Sequence, residues 1–174
     1  MIEDYFPPFP VLKTTRFVLR KLTQNDEAEI FILRSDEDVL KYLDIPKAES
    51  LDDARKFIDK IINRNNINEW VYWAISFKNE PKLLGTICLW NVSRDESKAD
   101  IGFTLLPDFQ GKGIMQEVIP VVLEYGFREM KLGKIYGEVS PGNIKSIKLL
   151  EKFGFMCTGD SENTLIYTLD RDQK

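Results

Sequence analysis

Between an apolar run ending at Leu106 and an amphipathic stretch beginning at Ile114, the chain carries Gln110-Gly111-Lys112-Gly113. A turn needs one glycine at most. Two of them flanking a lysine, where a strand gives way to a helix, imply that something comes close to the main chain. The chemistry on offer is anion binding. The first N–H groups of a helix have no intrahelical partner, and the macrodipole favours negative charge at that end. Neither familiar phosphate signature is present. Gly113 follows Lys112 where a serine or threonine would be needed, and Gln116 occupies the third glycine position of the dinucleotide fingerprint. Lys112 either adds a positive charge or is simply solvated. Taken alone, the same residues also make an ordinary helix-capping turn.

The sequence holds no histidine. Ser-His-Asp and Cys-His catalysis are therefore excluded, as are histidine metal sites, and no metal is expected. Any acid or base must be a carboxylate, tyrosine, lysine, hydroxyl, thiol, the chain terminus or water. The net charge of −4 argues against a general nucleic-acid binder and suits a cationic substrate.

These residues are positioned by elements that hydrophobic periodicity predicts. Residues 16–22 read as a strand, 26–35 as a helix, and 36–43 as a second short one. Ser50 is set to cap a helix whose apolar face is Ala54, Phe57, Ile58, Ile61 and Ile62. Strands follow at 70–77, 82–90 and 98–106. The stripe Met115, Val118, Ile119, Val122, Leu123, Phe127 and Met130 marks a strong helix, with Pro120 inside it expected to perturb its first turns. Residues 134–140 read as a strand, 143–153 as a helix stopped by Gly154, and the last two runs as strands. The order implies an α+β (mixed α/β) fold with a mixed sheet covered by helices.

At 174 residues the chain is expected to be one domain, 1–174. No apolar run reaches the roughly 20 residues that span a bilayer, and no signal peptide is recognisable, so no membrane role is expected. Cys88 and Cys157 sit in apolar contexts and are read as reduced core fillers of a cytoplasmic protein. Trp70, Tyr72, Trp73 and Trp90 are expected mostly in the core, with one or two lining a cleft. Tyr5, Phe6 and Phe9, among prolines, are expected to pack as an N-terminal arm.

Several ordered motifs resemble the GNAT N-acetyltransferase superfamily, in the branch of the ribosomal-protein alanine N-acetyltransferases. They are Asp100-Ile101-Gly102-Phe103, then Gln110 to Gly113, Asn143 with Ser146, and Glu151-Lys152-Phe153-Gly154-Phe155. The resemblance runs from roughly residue 9 to 170. It implies a mainly antiparallel sheet of about seven strands with helices on both faces and a V-shaped splay between two central parallel strands. It also implies an acetyl-CoA (CoA) site. The pyrophosphate would rest on the backbone N–H groups of Gln110, Gly111, Lys112, Gly113, Ile114 and Met115. The pantetheine arm would pair with the backbone of Phe103, Thr104 and Leu105, with Asn143 nearby.

The implied reaction is direct acetyl transfer to a primary amine. Asp100 is the first candidate base or amine-positioning group, at a family position usually held by glutamate; its alternative is a solvated carboxylate. Ser146 is a candidate to hydrogen-bond the cofactor sulfur or protonate the thiolate; its alternative is a first-turn serine bonding to backbone. The acceptor is a protein N-terminal α-amine, or else a polyamine or amino sugar. A non-catalytic acyl-CoA sensor is the reading from a different class. Acceptor contacts are expected from residues 35–70 and 90–97. Oligomeric state stays open, with a homodimer among the options.

Overall fold

The computed structural model describes residues 8–173. Its elements are β1 (Leu12–Lys13), β2 (Phe17–Lys21), α1 (Glu27–Leu33), α2 (Glu37–Leu40), α3 (Leu51–Asn66), β3 (Val71–Phe77), β4 (Gly85–Ser93) and β5 (Lys98–Leu105), then α4 (Ile114–Arg128), β6 (Lys134–Val139), α5 (Ile144–Lys152), β7 (Met156–Ser161) and β8 (Thr164–Asp170). The strands form one sheet in the order β1-β2-β3-β4-β5-β6-β8-β7. Every neighbouring pair is antiparallel except β5 with β6, which are joined through the crossover helix α4.

Strand alternation sorts the side chains between two cores. On one face Trp73, Ile75, Ile87, Leu89, Ala99 and Ile135 pack against the α4 stripe and Leu150 of α5. On the other, Leu22 and Ala74 pack against Ile30 and Leu33 of α1 and Ala54, Ile58 and Ile61 of α3. Ser50 caps α3 as its type predicts, with its hydroxyl accepting from the Asp53 N–H at 3.2 Å. Gly154, at φ +90°, ends the turn after α5.

Some expectations need correcting. Helix α4 is not divided at Pro120, which sits on the exposed side, where water can satisfy the carbonyl it leaves without a donor. Strand β4 starts three residues later than its apolar pattern suggests and runs on to Ser93. Leu83 and Leu84 are buried as loop residues, and a bulge between Trp90 and Ser93, with Asn91 at φ 52°, carries the pairing further. Cys157 is exposed and fills no core, because β7 is an edge strand whose residues stay largely open to solvent; both cysteines are free. Trp73 is fully buried, whereas Trp70 and Trp90 are half-exposed and meet edge to face at 6.1 Å. Phe9 does pack, on Trp73 at 6.3 Å; Tyr5 and Phe6 lie outside the described residues.

One close approach shapes the centre of the sheet. A Cβ on Gly85 would stand 2.3 Å from the Thr104 carbonyl oxygen, so β4 draws the end of β5 toward itself and away from β6. Gly85→Ala is therefore expected to lower stability by roughly 1–3 kcal/mol, the range for overpacking. Urea denaturation measures this, and an unchanged midpoint would show that β4 and β5 are not drawn together so tightly.

Candidate active site

Strands β5 and β6 pair over only three positions, Lys98 with Lys134, Ala99 with Ile135, and Asp100 with Tyr136. Beyond Asp100 they diverge while both continue, to Leu105 and Val139. The direction of the β5 backbone groups follows from its other neighbour. The Leu106 N–H donates to the Leu84 carbonyl at 2.9 Å, and the register with β4 is unbroken from Gly85 to Trp90. In an antiparallel ladder, hydrogen-bonded pairs alternate. Residues 100, 102 and 104 therefore spend their backbone groups on β4, while Ile101, Phe103 and Leu105 turn theirs toward the fork. Of the three residues expected to meet a cofactor arm, Phe103 and Leu105 face the gap. Thr104 does not: its hydroxyl joins the Thr86 hydroxyl at 2.9 Å, and Tyr72 donates to Thr86 at 3.1 Å.

Both helices that follow the diverging strands begin at this open end, the carboxyl end of the parallel pair, where open sheets bind ligands. Helix α4 is capped by Gly113 at φ +75°, and no side chain accepts from its first turn. Gly111 is also left-handed, at φ +76°, and a Cβ built on it would meet nothing within 4 Å. The loop is an open main-chain cradle, with side chains kept off it. Gln110 bends away, its Nε2 donating to the Leu105 carbonyl at 3.2 Å. Helix α5 is capped by Asn143, whose Oδ1 accepts from the Ser146 N–H at 3.4 Å. That leaves the Asn143 amide hydrogens available. The Ser146 hydroxyl has no hydrogen-bond partner among the described residues, so it does not bond back to the backbone. Lys152 of α5 donates to the Gln116 side chain of α4 at 2.8 Å, tying the two helices together.

Arg16 was not legible as a site residue, since it lies about a hundred positions before the loop. Its backbone N–H and Nε donate to Glu117 at 3.1 and 2.9 Å, and Thr14 donates to the same carboxylate. Partial desolvation pulls the Glu117 carboxyl up, but the Thr14 and Arg16 hydrogen bonds outweigh it and hold its pKa below the ordinary value. The same guanidinium reaches toward Gly113, with Nη2 3.9 Å from where a Cβ would be. A fixed positive charge thus flanks the cradle.

Asp100 is the last residue of β5 paired with β6, so its half-buried side chain stands at the apex of the fork, on the face opposite α4. Asn91, which the sequence did not single out, reaches it from the bulge, with Nδ2 donating to Asp100 Oδ2 at 3.1 Å. Burial raises the Asp100 pKa, and the Glu138 charge adds to the rise; the Asn91 bond and Lys98 oppose them. Cys88 lies on the same face, its thiol enclosed and pushed up to about 12 by burial, so it is no nucleophile at neutral pH. Tyr42, from the loop after α2, lies over the turn before α5, its Cε1 3.1 Å from where a Cβ on Gly142 would be. Residues from both expected acceptor segments, Tyr42 and Asn91, thus converge on the fork.

A raised carboxyl pKa means that the folded chain holds this proton more tightly than the unfolded one. Ionising Asp100 therefore costs stability as pH rises from the unfolded value, about 3.9, through the higher folded one. Asp100→Asn removes that cost and keeps an acceptor oxygen for Asn91. Above that window the variant is expected to be at least as stable as the parent, and below it the two should converge. Denaturant titrations at acidic and neutral pH test this; a less stable variant at neutral pH would contradict it.

A family model for the acetyltransferase (GNAT) domain matches residues 16–156. The uncharacterized N-acetyltransferase YoaA of Bacillus subtilis (strain 168) is 31% identical over 151 residues, 87% of this chain and 85% of that protein. The spermidine N(1)-acetyltransferase of Vibrio cholerae serotype O1 is 27% identical over 145 residues, 83% and 82% of the two chains. Among solved structures, RimL, a ribosomal L7/L12 α-N-protein acetyltransferase in complex with coenzyme A, has the same fold. Its TM-score is 0.84 at 18% identity, over 95% of this chain and all of that one. The chain thus belongs to the GNAT acetyltransferase family and is an acetyl-CoA-dependent N-acetyltransferase.

Proposed function

We propose that the acceptor is a primary amine that enters on the Asp100 side of the fork, and that an α-amino terminus of a protein is the amine the site serves. The observation that carries this is the end of parallel pairing at Asp100, with two helix N-termini on one side of the opening and a carboxylate at its apex. Acetyl-CoA supplies a thioester carbonyl as electrophile and a thiolate as leaving group. The main-chain N–H groups of Gln110, Gly111, Lys112, Gly113, Ile114 and Met115 would hold its diphosphate, with Arg16 alongside. Phe103 and Leu105 offer backbone groups to its arm, and Asn143 its free amide hydrogens. A Cβ on Gly111 would meet nothing within 4 Å and one on Gly113 only the Arg16 guanidinium at 3.9 Å, so the residues fit the group.

The amine must lose a proton to react. An α-amine, with pKa roughly 7.7–8.0, is close to neutral already, whereas a lysine-like amine near 10.4 needs several kcal/mol more help. Asp100 Oδ2 is occupied by Asn91, so Oδ1 is the atom free to take the proton. The Ser146 hydroxyl is the donor for the departing sulfur. Residues 1–174 would act as one catalytic domain, working in the cytoplasm.

A polyamine is the second reading. The net charge of −4, the pair of acidic residues on the acceptor face, and the similarity to a spermidine acetyltransferase favour it.

Thiol release from acetyl-CoA with an alanine-terminated peptide, spermidine and glucosamine separates these readings. The peptide is expected to give the highest kcat/KM. A preference for spermidine replaces the first reading with the second. Turnover of none of the three, with acetyl-CoA still bound, would overturn both acceptor readings. Asp100→Asn is expected to lower kcat about 10²–10⁴-fold, the range for a positioned base, with CoA affinity unchanged; an unaltered rate would remove Asp100 from the mechanism. Gly113→Val places a branched side chain at φ +75° on the cradle and is expected to weaken CoA binding roughly 10-fold or more by calorimetry. Unchanged binding would mean that the diphosphate lies elsewhere.

A further inference from the structure

We infer that Glu138 is a second acceptor-binding residue, which receives the positively charged amine across the fork from Gly102 and delivers it to Asp100. This rests on the reading of the fork as an amine N-acetylation site. Tyr136 is the Cα partner of Asp100, and Glu138 stands two residues further along β6, on the same face as Asp100. Burial along β6 agrees: Ile135, Gly137 and Val139 are turned inward beneath α5, and Glu138 is exposed.

What stands opposite is a glycine over which two β4 side chains close, one of them a donor. Gly102 has no side chain, and a Cβ built there would meet Cys88 Sγ at 3.3 Å and Trp90 Nε1 at 3.6 Å. The other wall is thus the Trp90 indole, whose N–H has no hydrogen-bond partner among the described residues. Glu138 is likewise without an ion pair or hydrogen bond among the described residues. The lysines that open the paired parts of β5 and β6 are engaged elsewhere: Lys98 with Glu96, and Lys134 with Asp170. Its cross-strand partner on β8 is Ile166, which offers no charge to neutralise it. An uncompensated carboxylate beside a half-buried one is a poor arrangement for stability. It is a good one for an ammonium group, which relieves the repulsion between them.

The groups facing Asp100 are few. From β4 come neutral Asn91, Trp90 and the protonated thiol of Cys88; from its own strand comes Lys98; from β6 come Tyr136 and Glu138. Among the described residues, Glu138 is the one carboxylate whose charge raises the Asp100 pKa. Removing it moves the acid limb of the pH profile to lower pH.

The test is steady-state kinetics of Glu138→Gln against the parent, using the alanine-terminated peptide and spermidine as acceptors, with CoA calorimetry and melting as controls. Expected is a roughly 10-fold rise in acceptor KM, the size of one hydrogen bond to a charged group, with kcat and CoA affinity nearly unchanged. The acid limb of kcat/KM should shift to lower pH, and Glu138→Asp should restore part of the loss. Parent-like KM and pH profile in an active Glu138→Gln would overturn this role while leaving the acetyltransferase reading intact. A fall in kcat alone would overturn it too. If the parent enzyme acetylates neither amine, the underlying acceptor reading falls, and this role with it.

Discussion

The structure depends on a strand that leaves one partner while held by the other. A backbone N–H or C=O shut away from water without a partner costs about 1–3 kcal/mol. Beyond the Ile101 N–H, as far as Leu105, the β5 groups that face β6 have no ladder to join. What sustains this is the other side of the strand. From Gly85 to Trp90 the β4 ladder is continuous, and the missing side chain at Gly85 lets it close tightly on Thr104. One orphaned group, the Leu105 carbonyl, is satisfied by Gln110. The others must be met by water or by something strand-like in the gap, so the fold builds an affinity for an extended, hydrogen-bonding arm into its own backbone.

The fork also sorts charge. On the α4 side lie two helix N-termini, Arg16 and Lys112, all favouring an anion. On the opposite side lie Asp100 and Glu138. The net charge of −4 says nothing of this division, which is local and follows from strand alternation alone. On the proposed reading, a polyanionic donor and a cationic acceptor are thereby drawn to opposite faces of one sheet and kept from competing.

The sequence was most legible where one residue type is dictated by local geometry. The glycines at 111 and 113 stand at positive φ, Ser50 and Asn143 do cap their helices, and Gly154 ends the turn after α5. The α4 stripe was plain because its period is local too. Contacts made across the chain were not visible. Nothing in the type of Arg16 or Thr14 points to Glu117. Asn91 matters because a bulge turns it toward Asp100, and the bulge is a property of two strands rather than one. Cys157 looked apolar by its neighbours, yet it sits at the sheet edge, where strand order and not composition decides exposure. The fork was read from a resemblance; its physical origin at Gly85 is evident only once β4 and β5 are seen together.

The short carboxylate at position 100 is better understood in that setting. On the proposed reading an aspartate reaches less far than the glutamate expected at this position, so the amine comes down to the floor of the fork. Asn91 holds one carboxylate oxygen and leaves the other free, while Cys88 and Trp90 close over Gly102, the next residue on the same face. A slender primary amine is, on that reading, favoured over a branched one, because the Trp90 indole already borders the space over Gly102. On the proposed reading, the loss of one methylene at Asp100 leaves the base in reach of its substrate and narrows the shape of the amine that reaches it.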